Sequence, residues 1–105
     1  MARRKEIIGH VGVDGGMLML GDPCYTVPSD GPVQRETKGV WGDFLRKYID
    51  YDAKEQYWHV GGSREGSMAV VVTTGYGDGV YPVEAEIGDD GRIRSVKVTF
   101  IKGRQ

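Results

Sequence analysis

The chain alternates short apolar runs with glycine-bearing breaks, and the spacing inside each run sets the element it predicts. "KEIIGHVGV" (5–13) and "MLMLGD" (17–22) read as strands separated by the turn "DGG" (14–16). Asp14-Gly15 is a strong two-residue hairpin signal, since both residue types tolerate the positive φ of a primed turn, so these strands are expected to pair antiparallel. Met17, Leu18, Met19 and Leu20 are apolar without alternation, which predicts a strand covered on both faces. Farther on, "QYWHV" (56–60) is a short strand, "GGSREG" (61–66) a turn or loop, and "SMAVVVTT" (67–74) a β-branched run suited to a central strand. In "VYPVEAEI" (80–87), Tyr81, Val83, Ala85 and Ile87 alternate with Val80, Pro82, Glu84 and Glu86, giving a half-buried strand with a wet face. Pro82 has no N–H for a ladder, so it belongs near the strand start or at an edge. In "RIRSVKVTFI" (92–101), Ile93 sits on odd parity while Val96, Val98 and Phe100 sit on even. One extra residue at Arg94-Ser95 restores the phase, so a β-bulge is expected there.

One segment carries a helical period. In "VWGDFLRKYID" (40–50), Val40, Phe44 and Tyr48 lie four apart, as do Trp41, Leu45 and Ile49, with Asp43, Arg46, Lys47 and Asp50 on the other side. The two prolines and two glycines of "TVPSDGPVQRETKG" (26–39) predict a loop, long enough to be a lid or binding loop. The fold class that follows is mainly β (α+β): an antiparallel sheet, sandwich or open barrel with one amphipathic helix at about 40–50, in a single domain spanning all 105 residues.

Composition narrows the function classes. Fourteen basic against fifteen acidic residues leave a net charge of -1, which disfavours generic binding to nucleic acid or anionic membrane. "MARRKE" leads into a strand-like stretch and not into an apolar leader, and no run approaches membrane-spanning length. A lone cysteine excludes an intramolecular disulfide, and a cytoplasmic protein is expected. That cysteine and two dispersed histidines lack zinc-site spacing, and neither "IDYDAKE" nor "GDDG" matches a calcium loop, so neither metal nor cofactor is expected.

Three stretches hold candidate chemistry. "GDPCY" (21–25) fits a type I turn: Asp22 accepts the backbone N–H two residues on and Pro23 presets φ. Cys24 is then either a small hydrophobe buried under the loop or a nucleophilic thiolate needing a base, for which His10 and His59 are the histidine candidates. "TTGYGDGVYPV" (73–83) is either a tight hairpin with Asp78-Gly79 in a primed turn or a ligand loop. In the second case, N–H groups around Gly77 and Gly79 and the Asp78 carboxylate make polar contacts while Tyr76 and Tyr81 offer stacking faces. Arg64 in "GGSREG" is either solvated or a bidentate receptor for phosphate or carboxylate, and Trp58 is either core or a stacking platform.

The stretches "VGVDGGMLMLGDPCY", "VVVTTGYGDGVYPVEAEI" and "GRIRSVKVTF" together resemble a family of small, largely uncharacterised phage and bacterial proteins marked by a DPCY and a GDG-x-YPV element. The resemblance covers both ends and most of the β framework, with 26–60 weakly matched. It implies that Asp22, Pro23, Cys24, Tyr25, Gly77, Asp78, Gly79, Tyr81 and Pro82 are the family's signature, and it implies no established reaction. Two such elements are most simply shared because they meet. The leading expectation is therefore a small-molecule-binding module, with its pocket where the two loops converge or at the interface of a homo-oligomer. Its concrete form is an anti-defence protein that sequesters a host nucleotide without turnover: Arg64 and glycine N–H groups on phosphate, Tyr25, Tyr81 or Trp58 against the base, and Asp78 on a ribose or base edge. The alternatives are a cysteine-dependent hydrolase using Cys24 with His59, and a protein-interaction module using an exposed sheet edge.

Overall fold

The computed structural model describes residues 4–51 and 54–100; Arg3 of the basic start, Asp52 of "IDYDAKE" and Ile101 lie outside them. The elements in order are β1 (Arg4–Val13), β2 (Met17–Gly21), α1 (Pro23–Thr26), α2 (Pro32–Thr37), α3 (Trp41–Tyr48), β3 (Tyr57–Ser63), β4 (Gly66–Thr73), β5 (Gly79–Ile87) and β6 (Ile93–Val98). The protein is mainly β, with two open antiparallel sheets of order β1-β5-β6 and β2-β4-β3. The chain divides into two compact units, Met17–Thr73 and the segments on either side of it, and each holds one sheet.

In the Met17–Thr73 unit, the β-branched run forms β4, the central strand, as its composition predicts. It pairs with β2 from Met17↔Thr73 to Gly21↔Ala69 and with β3 from Tyr57↔Val72 to Ser63↔Gly66. Val60, Ala69 and Val71 are almost fully buried and form the core with Val33 and Ile49, against which Met17, Phe44, Leu45, Tyr48 and Trp58 pack. The "GGSREG" stretch is mostly strand: β3 continues through Ser63, and only Arg64-Glu65 turn the chain. Met19 and Leu20 are exposed at 41% and 54%, so the expected double covering of β2 does not hold. β2 is an edge strand, and an apolar run alone does not distinguish an edge from a centre.

The helices begin where the chain supplies their first turn. Asp22 accepts the Cys24 N–H at 2.9 Å, as the turn reading requires, and the bond from Val27 N–H to the Pro23 carbonyl at 2.9 Å extends that turn into α1. The segment expected to be a loop contains α2. Pro32 stands at its first position, where the missing N–H and the fixed φ suit a helix start, and Lys38 ends it in the left-handed region at φ 54°. α3 falls where its period places it, with Trp41 stacked on Phe44 at 5.6 Å. It is tied to α2 by Lys47 Nζ on Glu36 at 2.9 Å and by the Tyr48 hydroxyl donating to Glu36 at 3.3 Å.

In the other unit, β5 is central. β1 pairs with β5 and not with β2, so the hairpin expected at Asp14-Gly15 does not form. Of its residues only Gly16 takes positive φ, whereas a primed turn needs it at both central positions. A hairpin at Asp78-Gly79 is likewise absent: β4 and β5 belong to different sheets, and the positive φ values there fall on Gly75 and Gly77. The bulge at Arg94-Ser95 is present. Glu86 faces Ser95 and Ile87 faces Ile93, which leaves Arg94 as the extra residue and sets Ile93, Val96 and Val98 opposite the apolar side of β5. Pro82 pairs with His10 on β1, and pairing with β6 starts only at Val83, so the missing N–H interrupts no ladder on that side.

Two outcomes test this account. A Cβ at Gly62, whose φ is 150°, would lie 2.7 Å from Ser67 Cα and collide with the Gly66 carbonyl, whereas Gly66 has open space around it. Gly62→Ala is expected to cost more than about 2 kcal/mol in urea unfolding and Gly66→Ala less than about 0.5 kcal/mol. The Lys47 ammonium, chiefly through its hydrogen bond, holds Glu36 below its ordinary 4.5, and Glu36 in turn raises Lys47 above 10.5. The Glu36 contribution is thus present above 4.5 and lost as pH falls through the lowered value, while that of Lys47 is present below 10.5 and lost as pH rises through the raised one. The NMR titration midpoint of Glu36 is expected to rise back toward 4.5 in Lys47→Met, and an unchanged midpoint would reject the tie.

Candidate functional site

β3 is an edge strand of the β2-β4-β3 sheet, and a cleft of about 440 Å³ lies along it. That volume suits a small molecule. The lining comes from three places: Tyr48 and Asp50 at the end of α3, Glu55 with Tyr57, Trp58 and His59 along the start of β3, and Gly62 with Arg64 at the hairpin. Side chains alternate across a strand, so Trp58 and Val60 take the core face and Tyr57 and His59 the opposite one. Contributions from both sets mean that the cleft straddles the strand edge. Trp58 packs on the core, and its Nε1 is buried without a hydrogen-bond partner.

The hairpin returns Arg64 onto the strand that precedes it. Its Nη2 donates to the Tyr57 hydroxyl at 2.6 Å and its guanidinium lies 5.6 Å from the Tyr57 ring centroid, a cation–π contact. His59 meets Tyr57 edge to face at 6.0 Å. Among the described residues Arg64, like Arg35 and Arg94, pairs with no carboxylate, whereas Arg4, Arg46 and Arg92 pair with Glu6, Asp43 and Asp90. The structure therefore brings together three residues singled out in the sequence, Trp58, His59 and Arg64. The sequence reading missed Tyr57, Tyr48, Asp50 and Glu55. Tyr57 had a signal, since it shares the parity of His59 and stands one hairpin away from Arg64; Tyr48 had none, because its period serves the core equally well.

The remaining candidates lie elsewhere. Asp22 caps α1, Tyr25 is 41% exposed on it, and the Cys24 thiol is exposed, which overturns the reading of Cys24 as a buried hydrophobe. α1 is a single turn at the surface and buries none of its residues. The cleft lined by His59 does not include Cys24. In the other unit, the Tyr81 hydroxyl and the Thr74 hydroxyl each donate to the Gly77 carbonyl at 2.8 Å, and Tyr81 meets Phe100 edge to face at 5.4 Å. Tyr81 is only 5% exposed and holds the loop from beneath, so it offers no open face for stacking, whereas Tyr76 is 63% exposed. Asp78 and Gly79 line a second cleft of about 590 Å³ with Gly12, Val13, Asp14 and Val80. A third cavity of about 270 Å³, between β2, α2 and α3, is lined chiefly by Met19, Val33, Val40, Trp41 and Phe44. The DPCY element and the GDG-x-YPV element thus fall in different compact units.

Among the described residues no group of three or more histidine, cysteine, aspartate or glutamate side chains could hold a metal ion, and no helix is long and apolar enough to cross a membrane. No family model, curated protein or solved structure matches the chain. An exposed Cys24 is expected to react with a thiol reagent in the native protein at about its rate in urea; a native rate slower by about tenfold or more would return it to the interior.

Proposed function

We propose that the protein is a small-ligand-binding module whose site is the cleft along β3, and that it holds a molecule bearing an anionic group and a flat ring, with a nucleotide as the concrete form. One observation carries this reading: Arg64 is held at the cleft by Tyr57, and among the described residues no carboxylate forms an ion pair with it. A guanidinium has five N–H donors, and the neutral Tyr57 hydroxyl occupies one of them. Phosphate or carboxylate completes such a site with paired, charge-assisted hydrogen bonds. Tyr48, Tyr57, Trp58 and His59 supply aromatic surface for a ring, and the Glu55 carboxylate suits a hydroxyl or amino group. Holding a ligand needs no general base, so the reading demands nothing of Cys24. The resemblance to the phage and bacterial family adds the idea that the nucleotide is a host signal retained without turnover.

The test is incubation with a panel of cyclic and linear nucleotides. At least one is expected to be depleted from the free pool and recovered intact, with affinity lowered about tenfold or more in Arg64→Ala. Absence of depletion across the panel rejects the nucleotide form. Chemical conversion that is lost in a folded Cys24→Ala variant establishes the hydrolase instead.

A further inference from the structure

We propose that the cavity between β2, α2 and α3 is a second ligand site, which takes a neutral, flat ring system of indole size that donates one hydrogen bond. It shares no lining residue with the β3 cleft, so it stands whether or not that cleft holds a nucleotide.

The cavity forms where the chain turns from α2 into α3. Lys38 at φ 54° and Gly39 at φ 68° are both left-handed, which reverses the chain between the helices and leaves about 270 Å³ where they meet Met19 of β2. An apolar cavity of about 150 Å³ holds benzene, so this one admits a fused pair of rings. Among the described residues no charged side chain lines it, in contrast to the Asp50, Glu55 and Arg64 of the β3 cleft. An ion entering it would lose hydration without gaining a counter-charge, which restricts the site to neutral ligands. Trp41 and Phe44, one turn apart on α3, stack at 5.6 Å with their planes 12° apart, and Trp41 stays 55% exposed. Their near-parallel faces suit a third flat ring.

The polar part of the wall sets the hydrogen bond. The Thr26 hydroxyl donates to the Asp22 carbonyl at 3.5 Å and the Thr37 hydroxyl to the Val33 carbonyl at 2.8 Å, so both protons are already used. Gln34 Nε2 donates to the Thr26 carbonyl at 2.9 Å, which pins the amide and leaves Oε1 toward Gly39, where an added Cβ would lie 3.1 Å from it. The wall therefore offers acceptor oxygens, and a ligand matches them with an N–H or O–H.

The experiment titrates the full chain with indole and with benzothiophene, which has nearly the same shape but sulfur in place of the N–H. Backbone amides and the Gln34 side-chain amide are followed by NMR. Indole is expected to saturate at about millimolar concentration, shifting the Gln34, Gly39 and Val40 signals. It is expected to bind about threefold or more tighter than benzothiophene. In Gln34→Leu that ratio is expected to fall to about one while benzothiophene still binds, a pattern that lost packing alone would not produce. Val40 lines the cavity and is half exposed, so Val40→Trp fills the space from its rim and is expected to remove both ligands with the circular dichroism spectrum retained. Should Gln34→Leu unfold, the two ligands on the unaltered chain and the Val40→Trp variant still decide. Equal affinity for the two ligands, indole shifts centred on Tyr57, His59 and Arg64, or undiminished binding to Val40→Trp overturns the proposal. A nucleotide panel that fails leaves these outcomes untouched, because none of them depends on a bound nucleotide.

Discussion

The pairing of β4 with strands on both its sides is the constraint on which the Met17–Thr73 unit depends. Val60, Ala69 and Val71 are buried to 0%, 3% and 2% exposure because they meet across that pairing and beneath the helical layer. Each buried valine removes several methyl and methylene equivalents from water, worth about 0.8 kcal/mol apiece. The helices are placed by the same face: Val33 of α2 and Phe44, Leu45 and Tyr48 of α3 pack on it, and Ile49 closes it just beyond α3. A three-stranded sheet with one central strand necessarily leaves two edges. One is β2, with Met19 and Leu20 open to water, and the other is β3, which carries the cleft.

Local patterns were legible in the sequence where a single residue type decides the backbone. The phase slip of "RIRSVKVTFI" located the bulge at Arg94, the four-residue spacing located α3, and Asp22-Pro23 located the Asp22–Cys24 turn bond, though not the helix turn it opens. The β-branched run coincides with β4, the central strand, whereas the equally apolar Met17–Leu20 run falls in an edge strand, so β-branching and not hydrophobicity alone separated the two. The failures were of two kinds. Partner choice is not local: Asp14-Gly15 is compatible with a hairpin, yet β1 pairs with β5 more than sixty residues away, and nothing in the turn encodes that. Proline was read as a breaker in 26–39, although at the first position of α2 it is a starter.

The candidate site was legible in part for the same reasons. Arg64, Trp58 and His59 are residue types that stand out against a background of glycine and aliphatic side chains, and a hairpin read as a loop still keeps them within a few residues of one another. Tyr57 carried only the signal of its shared parity with His59, because its role exists only once Arg64 folds back upon it. Cys24 attracted attention by its rarity, but rarity carries no information about environment. The single turn of α1 displays it at the surface.

What the β3 cleft can achieve follows from the size of its separate interactions. A charge-assisted pair with Arg64 contributes about 1.5–3 kcal/mol net, and one stacked ring adds about 0.5–1.5 kcal/mol. Against this stands the loss of rigid-body freedom, about 4 kcal/mol at the least. Arg64 and one ring therefore do not hold a small ligand tightly by themselves; the difference must come from apolar area buried between Tyr48, Tyr57 and Trp58.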